Sequence, residues 1–248
     1  MKINWKHFFL IVLSFAVFGE VKAEKWKVTT LEWPPFTCEK CPDQGVGCKA
    51  LRDALKSVGV DVEFVFLPWN RAVKEGGKAE FIGYYPAWPE DVVDGFLGSD
   101  PIFKSPLGFV EAKSKPLGRL QALKDLAGKN IGSVQGYGNT KEFNELVKKG
   151  LIKSDQATAD DFNIKKVAAG RLDGAIVDTN VAKYMLQTDL KDVAGKIGIN
   201  ALVAENKDLL LVFNKVGDSK ARNAKLVEAL KKVNTQKIVD DGLKDLLK

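Results

Sequence analysis

Apolar and polar positions change period along this chain in a recurring way. Residues 27–31 form a short β-rich run stopped by Pro34-Pro35. Within residues 45–58, apolar side chains fall at Ala50, Leu51, Ala54 and Leu55, the spacing of an amphipathic helix, and Gly59 ends it. Residues 60–67 alternate, as a half-buried strand does. Pro68 then opens a helix, because its missing N–H would be unpaired at a helix start in any case. That helix stops at Gly76-Gly77, before a strand at 81–85. The second half repeats the grammar. A strand at 130–134 runs into the glycine-rich turn Gln135-Gly136-Tyr137-Gly138. Asn139 caps the next helix, with Glu142 three residues on, and Gly150 ends it. A helix at 161–169 stops at Gly170, a strand follows at 174–177, then a helix at 179–186, a strand at 209–213, and helices at 221–233 and 236–247. Alternating strands and helices predict an α/β fold with largely parallel sheets.

One echo extends the pattern. Gly77 closes a helix and feeds a strand ending at Tyr85; at the same spacing Gly170 closes a helix and feeds a strand ending at Asp178. In open α/β sheets, ligands bind just beyond the carboxyl ends of strands. Two such units, one per half, predict two similar lobes facing each other, although any two βα units share some likeness.

The N-terminus changes the picture by adding an address. Lys2 and Lys6 precede an apolar run over 8–18, and Val21-Lys22-Ala23 offers a signal-peptidase site, so residues 1–23 read as a secretory signal. The run is too short to span a bilayer. The mature protein is thus expected in the periplasm. The net charge of +6 comes from lysines interleaved with acids, as at Glu142, Glu145, Lys148 and Lys149, which describes solvated helix faces; no nucleic-acid partner is expected. The single histidine, His7, lies inside the signal. Without it, Ser-His-Asp and Cys-His nucleophile activation are excluded and the commonest metal ligand is gone, so neither an enzyme nor a metal or cofactor site is expected. Cys38, Cys41 and Cys48 share one loop region of an exported chain. A structural disulfide using Cys48, with one thiol left over, comes first; a redox use of the Cys38–Cys41 spacing comes second and a metal site last.

At this point the chain resembles a known family, the family 3 extracellular solute-binding proteins, whose type members are polar amino-acid receptors of ABC importers. Residues 28–36, ending in Trp33-Pro34-Pro35-Phe36, resemble its first strand and aromatic loop. Pro68-Trp69 with Arg71-Ala72, Gly98 to Ile102, residues 123–136, and Gly170 to Asp178 are similar to its later segments. The resemblance implies a two-lobed, type II-like periplasmic-binding-protein fold with two hinge strands. Lobe one would hold residues 24–110 and 208–248, lobe two residues 111–207, and the hinges would lie near 110–113 and 203–207. It implies a monomer that captures a small polar solute and delivers it to a membrane permease. A sensor subunit for a membrane receptor, or a dehydratase-like enzyme on the same scaffold, are the alternatives. The family's amino-acid receptors carry an arginine that clamps the ligand carboxylate. Residues 87–94 contain no arginine here but three acids, which tilts the expected solute toward neutral or cationic.

The expected contacts follow. Trp33, on a loop stiffened by two prolines, is read as a stacking wall rather than a lobe-core tryptophan. Trp69 and Arg71 open a helix beside the cleft, Arg71 reading equally as an anion contact or a surface side chain. Tyr84 and Tyr85 end a strand on alternate faces, so one points into the cleft. Trp88 caps the pocket or packs under the rim. From lobe two come Gln135, Tyr137, Asn139 and Thr140, whose turn exposes backbone N–H groups, and Asp178, which also suits the N-cap of the helix it precedes.

Overall fold

The computed structural model describes residues 23–248, so the signal expected at 1–23 lies outside the described residues apart from Ala23. Nine strands form one mixed sheet in the order β2-β1-β3-β9-β5-β8-β6-β7, with β4 beside β9. In the first half, β1 (Glu24–Thr30), β2 (Val60–Phe66) and β3 (Gly83–Ala87) run parallel, with α1 (Val46–Lys56) and α2 (Trp69–Gly76) between them. The short β4 (Phe96–Gly98) and the C-terminal end of β9 (Ile197–Asn214) complete this part antiparallel. In the second half, β6 (Asn130–Val134) pairs in parallel with β7 (Lys153–Ala157) and β8 (Gly174–Asp178), alternating with α3 (Lys141–Lys148) and α4 (Asp160–Ala168). The helices α5 (Thr179–Gln187) and α6 (Lys191–Ala194) follow, and α7 (Ser219–Lys232) and α8 (Thr235–Leu246) close the chain.

What joins the halves is an antiparallel ladder. Strand β5 (Phe103–Ala112) pairs with β9 from Phe103↔Leu209 to Ala112↔Ile197, and with β8 on its other edge. The expectation of largely parallel sheets is thus half right: each half has a parallel core, but every pairing of β5 and β9 is antiparallel. The pattern gave only the apolar end of β9 at 209–213 and the resemblance two hinge strands near 110–113 and 203–207, at β5 and β9; β4 and β7 were not read from the sequence. In β9, Ala201 to Ala204 are all apolar although their burial alternates between exposed and half-buried, so no apolar–polar alternation marks a strand there.

Buried apolar residues of both halves join in one cluster. In the first, Trp26, Val28, Leu51, Leu55 and Phe213 are buried; in the second, Ile131, Phe143, Ile164, Val167 and Ile176 are. The helix spacing predicted for α1 holds, with Ala50, Leu51, Ala54 and Leu55 all inward. Gly83 shows how tightly β3 and β9 are matched. It has φ +151°, and a Cβ there would lie 1.7 Å from the Val212 carbonyl oxygen. Among the described residues, no helix is long and apolar enough to cross a membrane.

Two expectations are corrected. The disulfide joins Cys38 to Cys41, not Cys48. Cys48 sits on the inward face of α1, fully buried and free, and burial pushes its thiol well above the usual range. The helix cap is Thr140, whose hydroxyl accepts from Phe143 N at 3.0 Å. Asn139 stands before it with φ +48°, a left-handed conformation that asparagine tolerates.

Candidate functional site

The site is built where the carboxyl ends of β1, β3 and β8 meet the turn after β6. Trp33 follows β1 and is held by backbone hydrogen bonds that tie Trp33 to Phe36 and Thr37. Trp69 opens α2. Trp88 and Asp91 lie just beyond β3, in a one-turn 3-10 helix over Pro89–Asp91. Tyr137 belongs to the glycine-rich turn after β6. Together Leu31, Trp33, Trp69, Pro86, Trp88, Asp91, Tyr137 and Leu209 line a cavity of about 20 Å³, room for roughly one water molecule. Their rings meet edge to face: Trp69 and Trp88 both pack on Tyr137, with centroids 6.1 and 5.5 Å apart.

Among the described residues several hydrogen bonds cross between the halves, and three of them lie beside this cavity. Trp33 Nε1 donates to Asp160 Oδ2 at 3.2 Å, Trp69 Nε1 donates to the Gly136 carbonyl at 2.9 Å, and Gly138 N donates to Asp91 Oδ1 at 2.6 Å. Close approach explains the glycines. A Cβ on Gly136 would lie 2.1 Å from Asn70 Oδ1, and one on Gly138 would lie 2.6 Å from Glu90 Cβ. The turn therefore needs both glycines for the halves to meet as they do, while Gln135 is exposed beside it.

Burial, and then the charges of Asp160, Asp91 and Asp178, push the Tyr137 hydroxyl well above its usual range. Burial pushes Asp91 up to about 7, against the N–H groups of Trp88 and Gly138 that favour its charged form. Burial, and then the charge of Asp178, push Asp160 to about 7 as well. Asp178 rises to about 6, again chiefly by burial. Its Oδ1 caps α5, accepting from Asn180 N at 2.9 Å and Val181 N at 3.2 Å. Its Oδ2 is buried without a hydrogen-bond donor; the Ser105 hydroxyl lies close enough to ease the charge but makes no well-formed bond to it. Trp88 Nε1 is likewise buried with no acceptor among the described residues. Nearby, Lys207 on β9 is 0% exposed, with Nζ 2.5 Å from Glu90 and 3.5 Å from Glu205, over the ring of Trp88. Among the described residues, no cluster of His, Cys, Asp or Glu could hold a metal ion.

The expected residues thus divide. Trp33, Trp69, Trp88 and Tyr137 converge on the cavity, while Asp178 does not line it and acts on Tyr137 only through its charge. Tyr84 supports the site from below: its hydroxyl donates to the Asp91 carbonyl at 2.6 Å and its ring packs on Trp69. Tyr85 faces the lobe core instead, donating to the Gly47 carbonyl at 2.8 Å beneath α1. Arg71 is exposed and lines no part of the cavity, so the surface reading holds. Asn139 and Thr140 shape the turn: Asn139 donates to the Tyr137 carbonyl and Thr140 caps α3. Sequence reasoning missed Asp160, Asn70 and Lys207. It noticed Asp91 only as one of three acids where an arginine was expected. No local pattern marks Asp160, whose partner Trp33 is far away in the chain.

No protein-family model matches the chain, and no curated protein matches it by sequence. Solved structures do. An ancestral arginine-binding protein bound to arginine superposes with a TM-score of 0.70 at 19% identity, covering 92% of this chain and 100% of its own. An amino acid ABC transporter substrate-binding protein from Streptococcus pneumoniae, bound to L-arginine, gives 0.68 at 19% identity, covering 90% and 96%. A histidine kinase sensor domain with similarity to periplasmic binding proteins gives 0.74 at 14% identity, covering 91% and 97%. With two α/β halves joined through β5 and β9 and an aromatic cavity between them, the chain has the two-lobed fold of the periplasmic solute-binding proteins.

Proposed function

We propose that the protein captures a small polar solute in the cleft between its lobes and catalyses nothing. Lobe one is taken as residues 24–110 and 208–248, lobe two as 111–207, with the β5–β9 ladder as the hinge. The observation that carries this reading is the convergence of Trp33, Trp69 and Asp91 from one side on Asp160, Gly136 and Gly138 from the other, around one cavity. A solute enters with the lobes apart and stacks on Trp33. Asp178, Asp160 and the glycine-rich turn then meet it only as the lobes close, and those late contacts supply the differential affinity that shifts the equilibrium toward closure.

Delivery to a membrane importer, from the periplasm after removal of residues 1–23, is the preferred role, in line with the transporter substrate-binding protein among the similar structures. The sensor domain with the same fold favours a second reading, in which the protein reports the solute to a membrane receptor. Copurification from native membranes separates the two: a permease supports delivery, a receptor kinase supports sensing. Solute binding itself is tested by thermal-shift screening of amines, amino acids, sugars and short peptides, since a ligand of the folded state raises Tm by mass action. A rise with at least one class is expected, and none with any class overturns the reading. Raised carboxylates in a cleft also suit acid–base chemistry, so steady conversion of the bound solute to product would replace binding with catalysis.

A further inference from the structure

We infer that Asp91 sets the specificity of this cleft by excluding carboxylate groups, so that the solute is a carboxylate-free organic amine; the inference rests on the solute-binding reading above. The Gly138 amide is the donor that the turn of lobe two presents to lobe one, and an anionic ligand group would be its natural acceptor. Asp91 takes it instead, with Oδ1 2.6 Å from Gly138 N and Oδ2 2.8 Å from Trp88 N. The side chain is 8% exposed and lines the cavity, so it is a fixed part of the wall. A ligand carboxylate arriving here would find its amide already bonded and a second carboxylate beside it, in a site with little water to screen the repulsion.

The same surroundings suit an ammonium. Asp160 and Asp178 are near enough for their charges to act on Tyr137, Asp160 holds the cavity's Trp33, and Asp178 Oδ2 is buried with only the Ser105 hydroxyl close by and no well-formed hydrogen bond. The lysine facing Asp91 is Lys207, already held by Glu90 and Glu205; Lys183 is the positive group acting on Asp178; Arg71 is exposed. Burial raises Asp91 and Asp160 to about 7 and Asp178 to about 6, and an entering cation favours the charged form of each. Indole and phenol walls add cation–π attraction. The unpaired Trp88 Nε1 leaves one donor for a neutral oxygen or nitrogen of the solute.

The test uses matched pairs that differ only by the carboxylate: agmatine and arginine, cadaverine and lysine, tyramine and tyrosine, ethanolamine and serine. Thermal shift and calorimetry on the purified protein should show the amine of at least one pair binding at least tenfold more tightly than its amino acid. In Asp91→Ala, which frees the Gly138 amide, that preference should fall tenfold or more. Asp91→Asn keeps an acceptor for Trp88 N and should reduce the preference in the same direction if the alanine variant does not fold. Equal binding within every pair, tighter amino acids, or an unchanged preference in both variants would overturn the inference. So would a protein that binds a sugar or peptide and none of the amines, and solute binding would then still stand. If no compound of any class binds, the solute-binding reading falls too.

Discussion

Asp178 divides two duties between its two oxygens. Oδ1 caps α5 through Asn180 N and Val181 N, while Oδ2 lies buried without a donor. An amide retains the first duty and abolishes the charge behind the second. Asp178→Asn should therefore leave Tm nearly unchanged yet weaken binding of the amine identified by screening by one to two orders of magnitude, since a hydrogen bond to a charged group contributes ~1.5–3 kcal/mol. Asp178→Ala should also lose about 1 kcal/mol of stability with the cap. Calorimetry and melting curves on the pair separate the roles, and unweakened binding by the asparagine variant removes Asp178 from the site. The buried aspartates also predict a pH dependence. Asp91 and Asp160 rise to about 7 and Asp178 to about 6, from 3.8. Between those limits the folded protein binds more protons than the unfolded chain, so this contribution is full below pH ~4, declines as pH rises and is gone above pH ~7. Around Asp91 stand Glu90 and Lys207; around Asp160 stand Asp178 and Asp161; Lys183 acts on Asp178. Tm should be higher at pH 5.5 than at pH 8, and Asp160→Asn should flatten that difference. An equal slope in the variant would show that Asp160 titrates normally.

At the scale of elements, the turn between β6 and α3 decides whether the halves can meet. Its two glycines differ. Gly136 has φ +84°, so a side chain there is strained whatever its surroundings. Gly138 carries no such constraint, yet a Cβ would press on Glu90 Cβ at 2.6 Å and Asp91 Oδ1 at 2.9 Å across the cleft. Those are lobe-one atoms, so Gly138→Ala obstructs closure more than folding. It should keep a Tm within a few degrees of the parent while solute affinity drops at least tenfold. If affinity is unchanged, the lobes do not need this approach to bind. The turn was legible in the sequence as a glycine-rich loop before a helix. Its partner, Pro89–Asp91, was not, because one turn of 3-10 helix has no period to detect.

For the molecule as a whole, motion is confined by connectivity. Among the described residues only the strands β5 and β9 carry the sheet from one half to the other, and their pairing shifts register between Leu107 and Val110. Irregular pairing of this kind is where a strand ladder bends most readily, so the proposed closure is expected to hinge there. Small-angle scattering should therefore show the radius of gyration falling when the amine found by screening is added. Trp33→Phe, which loses the bond to Asp160, should blunt that fall. An unchanged radius with bound solute would mean that binding and closure are uncoupled.

The sequence by itself determined the α/β alternation and most element positions, because hydrophobic period, glycine stops and proline starts are local signals, and it named the tryptophans that line the cavity. Through resemblance it also indicated two lobes, and it marked the missing arginine. Its choice of Cys48 failed because loop proximity in sequence says nothing of facing: α1 turns Cys48 into the core, away from Cys38 and Cys41. Tyr84 and Tyr85 were correctly read as pointing to opposite faces, but which face meets the cleft depends on α1 covering one of them. Only the tertiary structure decided that Asp160 meets Trp33, that Lys207 is buried between Glu90 and Glu205, and that Asp91 answers Gly138. Each of these joins groups far apart along the chain, and the physical reason they were illegible is the same. A carboxylate reads identically in sequence whether it faces water or an amide on another lobe, and burial against a distant partner alone turns it into part of a site.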